Sequence, residues 1–118
     1  MTKNSKYYDL EDRTQAFAIA ARVFVKKIPH TLANIEDSKQ LIRASGSVGA
    51  NYIEANEALG KKDFFLRIKI CRKEAKEARY WLRLIDTHND IDLEQQRNYL
   101  IGEATELMNI FGAILRKG

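Results

Sequence analysis

The sequence predicts an all-α protein, an antiparallel up-down-up-down four-helix bundle, on three observations. Apolar residues recur at alternating steps of three and four, the spacing of one buried helix face. The periodic stretches are separated by only a few residues, so successive helices must run antiparallel. One proline and six glycines in 118 residues are too few for a turn-rich β protein. At 13.6 kDa the chain makes one domain, large enough to fold without a metal or a disulfide. Its 45% hydrophobic content separates it from disordered chains.

The first eight residues are polar and are expected to be flexible, which leaves 9–118 as the bundle domain. The first helix should run from about Asp9 to Ile28. Leu10, Phe17 and Phe24 repeat every seven residues, interleaved with Thr14, Ala21 and Ile28. Asp9 or Asp12 can cap its start. Pro29 ends it, because the residue before a proline is pushed out of the helical region.

The second helix begins between Thr31 and Ser38 and ends near Gly60. Leu41, Ala44, Val48, Tyr52, Ala55 and Leu59 make one apolar row, and Ile42, Gly46, Gly49, Ile53 and Gly60 a second beside it. Only a narrow polar strip remains, Arg43, Ser47, Asn51 and Glu54. Its members can hydrogen-bond across helices and fix the register, or line a ligand site. A helix so widely apolar is either central or also buried against another subunit. Gly46 and Gly49 each cost roughly 1 kcal/mol relative to alanine. Either another backbone approaches closely there, or the helix breaks around Ser45–Gly49. The segment lacks the preceding strand and the Gly-Lys-Ser/Thr of a phosphate-binding loop.

Helix three, about Asp63 to Thr87, buries Phe64, Ile68, Cys71, Ala75, Ala78, Leu82 and Ile85. Beside that seam runs a cationic ridge: Lys69, Arg72, Lys76, Arg79 and Arg83, within an arc of about 80° at 3.6 residues per turn. Lys61–Arg83 holds nine basic and three acidic residues, a net +6 in a chain whose total is +4. Helix three therefore carries the whole excess. Such a ridge suits phosphate backbones, held largely by electrostatics without sequence reading. A solvated face, or one paired with acids of a neighbour, has the same pattern. The segment His88–Asp92 reads as a turn, and Asp92 with Gln95 as a capping box for helix four. Helix four extends to about Arg116 along Leu93, Leu100, Ala104, Leu107, Phe111 and Ile114. Ile101, Met108 and Leu115 form a further column, for a wide core or a subunit interface.

Groups that could do chemistry are sparse. Cys71 lies on the apolar seam and reads as a small buried hydrophobe. His30 and His88 fall in turns, and no Glu-x-x-His pair faces inward as a bundle metal site requires. Glu74 and Glu77, among so many bases, read as salt-bridge partners rather than an acid–base pair. Trp81, opposite the ridge, reads as core or interface. No catalytic residue, metal or cofactor is expected. No apolar run resembles a signal peptide or approaches the roughly 20 residues of a membrane span, so a cytoplasmic protein is expected.

The run Gln40-Leu-Ile-Arg-Ala-Ser-Gly-Ser-Val-Gly-Ala-Asn51-Tyr-Ile-Glu54-Ala resembles the signature of a bacterial four-helix-bundle family. Its members are encoded in intervening sequences of large-subunit ribosomal RNA genes. Lys62-Asp63-Phe64, Lys73-Glu74-Ala75 with Glu77 and Trp81-Leu82, and Tyr99 through Leu107 match in order. The resemblance covers most of the chain from Leu10 onward; it implies a ring-forming bundle, a homopentamer, and supplies no enzyme activity. A related branch is the accessory variability protein of diversity-generating retroelements, a basic pentamer that binds nucleic acid and a reverse transcriptase. This chain is more similar to the ribosomal-RNA branch, so the reverse-transcriptase partnership is not carried over. Where the family often has proline or isoleucine, this chain has Val48-Gly49-Ala50. The expected partners are further copies of itself and RNA or DNA. The alternative is an adaptor whose ring meets a protein partner and whose ridge is engaged in subunit contacts.

Overall fold

The structure, a computed structural model, describes residues 10–118. Among these it has four α-helices and no strand: α1 (Leu10–Lys27), α2 (Leu32–Asn56), α3 (Lys61–Leu84) and α4 (Ile91–Arg116). The segment expected to be flexible, and Asp9 as a cap, lie outside the described residues. Each helix packs on its chain neighbours and α4 closes back on α1, while the diagonal pairs do not meet. That is the up-down-up-down bundle.

Burial follows the apolar rows. Leu10, Phe17, Phe24, Leu41, Val48, Ile68, Leu82, Leu100, Leu107 and Phe111 are almost fully buried in one cluster. Ile101, Met108 and Leu115 are half-buried against it, so this column widens the core of the bundle. Three members of the α2 rows are exposed, Gly60 at the N-cap of α3 among them. The helix ends at Asn56, where the Glu57 N–H bonds back to the Glu54 and Ala55 carbonyls, so Leu59 loses helical phase and is fully exposed. Ile53, on the flank away from α3, is half-exposed.

The caps place the boundaries. The Thr31 side chain accepts from Asn34 N at 3.1 Å and starts α2. Helix α4 starts before the expected Asp92: Asp90 caps it, accepting from Leu93 N at 3.0 Å, and Asp92 lies inside the first turn. His88 and Asn89, both at positive φ, reverse the chain just ahead of that cap. Helix α2 is unbroken across Gly46 and Gly49. A Cβ on Gly49 would lie 2.8 Å from Thr14 Oγ1 and 3.2 Å from Thr14 Cβ, so this glycine lets α1 and α2 close up.

Two turns at one end are tied together by Asn34. Its Nδ2 donates to the carbonyls of Pro29 and Asp86, both at 2.8 Å, and its Oδ1 accepts from Asp86 N at 2.9 Å. All the hydrogen-bonding groups of this buried amide's side chain are used, as burial requires.

Candidate nucleic-acid interface

The charge on α3 is sorted by side of the helix. On the flank facing α2, Arg43 donates to Glu74 Oε1 at 3.4 Å and to Glu77 Oε1 at 3.0 Å. Asn51 donates to the Ser47 carbonyl at 2.9 Å and accepts from Arg67 Nη1 at 3.0 Å. Two of the four polar-strip residues, Arg43 and Asn51, therefore bond across the seam between α2 and α3; Ser47 is bonded within α2 through its carbonyl, and Glu54 is exposed beyond. The carboxylates Glu74 and Glu77 are salt-bridge partners of Arg43.

The acids of α4 near its middle are also drawn aside. Arg13 of α1 donates from Nε to Glu103 Oε2 at 2.7 Å, from Nη2 to Glu103 Oε1 at 2.9 Å, and to Glu106 Oε1 at 2.8 Å. The bidentate bond to Glu103 is the main cause of an upward shift that holds the guanidinium firmly protonated. Arg13 and Arg43, on the helices away from the α3–α4 seam, thus occupy the carboxylates that could otherwise lie across it.

What remains between α3 and α4 is an open groove of about 600 Å³. Lys69, Arg72, Lys73 and Lys76 form its α3 wall; Met108, Asn109, Gly112 and Arg116 form the α4 wall. Among the described residues the lining holds five cationic side chains and no acid. Lys69, Arg72, Lys73 and Lys76 are exposed, and among the described residues none of them has a salt bridge. Like charges this close, with no protein counter-charge, raise a positive potential that concentrates anions.

The groove brings together three of the five predicted ridge residues, Lys69, Arg72 and Lys76. Arg83 is exposed nearer the end of α3, outside the groove. Arg79 is turned toward α4, half-buried, with Nη1 donating to Thr105 Oγ1 at 3.1 Å and Nε without a partner. Lys73, Asn109 and Arg116 join the site without standing on the predicted ridge. The sequence signal for Arg116 was the antiparallel pairing, which sets the end of α4 beside the start of α3. Trp81 is half-buried, edge-on to Tyr80 at 5.1 Å between ring centroids. Cys71 is buried, and burial pushes its thiol up to about 12. Among the described residues no cluster of histidine, cysteine and carboxylates could hold a metal, and no helix is long and apolar enough to cross a membrane.

Comparison with known proteins follows the fold. Residues 8–113 match the sequence profile of the 23S rRNA-intervening sequence proteins. A solved structure from Bacteroides thetaiotaomicron, a protein with unknown function from the S23 ribosomal protein family, superposes with a TM-score of 0.78. It is 30% identical over 95% of this chain and 99% of its own. No curated protein matches the chain.

Proposed function

The chain belongs to the 23S rRNA-intervening sequence protein family, and from that premise we propose a non-catalytic, oligomeric bundle that binds the RNA or DNA backbone through the cations of α3. The observation that supports this most is the set Lys69, Arg72, Lys73 and Lys76, exposed in a groove with no carboxylate among the described residues. A phosphate chain supplies the missing negative charge and releases its own counterions, so affinity falls steeply with salt. The protein works in the cytoplasm, where ribosomal RNA fragments are within reach. Charge reversal at Arg72 and Lys76 should abolish binding to such fragments at low salt in an anisotropy titration. If the unaltered protein shows no binding there, the reading fails.

The same reading includes self-assembly, as a homopentamer. Its support is a second groove of about 520 Å³ between α1 and α4, mainly apolar, where the exposed Val23 and Tyr99 stand beside Ala20 and Leu100. That face also favours the alternative, an adaptor whose ring holds a protein partner. A pull-down that recovers one protein and survives nuclease treatment would choose the adaptor.

A further inference from the structure

Resting on that reading, we infer that the α3–α4 groove takes the backbone of a double-stranded nucleic acid, and that α4 supplies a phosphate ligand of its own, Arg116. A single ridge and a two-walled groove make different demands on a ligand. The ridge would need only charge; the groove places cations on both sides of whatever lies in it.

Arg116 stands at the last turn of α4, and helical side chains lean back toward the N-terminus. Gly112, one turn earlier, lies beneath it: a Cβ there would make an ordinary contact, 3.5 Å, with Arg116 Nη1. The guanidinium thus lies over α4 on the groove wall instead of extending past the helix end. Asn109, exposed on the same wall, adds an amide donor beside it. Arg116 has no salt bridge among the described residues, so its five donors are available to phosphate oxygens.

Two features choose a duplex over a single strand. Among the described residues the groove lining contains no aromatic side chain, so a single strand finds no stacking platform there, the interaction that usually holds unpaired bases. Tyr80 packs on Trp81, and Tyr99 faces the α1–α4 groove. Electrostatics then decides. A duplex presents one charge per about 1.7 Å of axis against about 3.4 Å for one strand, and each neutralised phosphate is worth more on it, a salt slope of about −0.9 against about −0.7.

The test is anisotropy of the full chain with a labelled 20-base-pair RNA duplex and with unstructured poly-uridine of equal length, titrated with salt. The duplex should bind at least about fivefold more tightly at low salt. Arg116→Gln should weaken duplex binding about fivefold and reduce the salt slope by about 1, as Arg72→Gln does. Lys39→Gln, on the far face beside Glu36, should leave it unchanged, and matching helical circular dichroism secures the folds. Loss of binding in Arg72→Gln with none in Arg116→Gln would overturn the inference yet leave the ridge reading standing. Equal affinity for poly-uridine would also overturn it. Failure of the unaltered protein to bind either RNA would remove the reading beneath.

Discussion

At the scale of single residues, the strongest commitments in this molecule are its satisfied polar groups. Asn34 holds two turns by three side-chain bonds. Asn34→Ala would leave the Asp86 N–H and two carbonyls without this partner, and should cost about 2 kcal/mol in urea unfolding. Cys71 is committed in the opposite sense, by burial in the apolar core. Its thiol is raised, so the folded protein keeps it protonated at pH 8, and stability should decline as pH rises from about 8.5 toward 12. Ellman's reagent should leave it untouched in buffer and react once denaturant unfolds the chain. Arg79 shows what residue spacing cannot reveal. On the helical wheel it belongs with Arg72 and Lys76, yet Thr105 of another helix draws it inward. That partner is set by how α3 and α4 pack, which no local pattern encodes. Arg79→Gln is therefore expected to lower stability more than binding, and Arg72→Gln the reverse.

At the scale of elements, close packing and capping compete with propensity. Gly49→Ala gains about 1 kcal/mol of helix propensity but drives a methyl into Thr14, whose hydroxyl is already bonded to the Leu10 carbonyl at 2.7 Å. Overpacking of this kind costs about 1–3 kcal/mol, so the net effect should be a loss of about 1 kcal/mol in thermal melts. Gly102→Ala, with open space around it, should be stabilising by up to about 1 kcal/mol. The α3–α4 turn adds a pH dependence. Arg97, first, and Thr87 donate to Glu94 and hold its carboxyl below the ordinary 4.5. The ionised form stabilises the fold above that value, and the benefit is lost as pH falls below it. Glu94→Gln should flatten the acid limb of the stability profile. The rows of α1, α3 and α4 were legible in sequence because their buried residues keep one phase along unbroken helices. Leu59 was not, since the end of α2 at Asn56 breaks that phase, and Asp90 was hidden by Asp92, an equally good capping residue two positions on. The α3 wall of the groove was legible for the same reason as the core, apart from Lys73; the α4 wall depends on the register between two helices.

At the scale of the whole molecule, charge is distributed by which helix faces which. Arg13 on α1 and Arg43 on α2 pair with four carboxylates of α4 and α3, and the remaining seam carries five cations. The bundle is a rod of 46 × 27 × 20 Å, its core along the length and its cationic groove on one side. An assembly through the apolar α1–α4 face would leave the neighbouring α3–α4 groove open, so oligomer and ligand need not compete. The affinity of the purified protein for an RNA duplex, followed from about 50 to 200 mM salt, tests this account most directly. Four or five neutralised phosphates predict a log–log slope of about −4. Binding that ignores salt, or none at the lowest concentration, would contradict it.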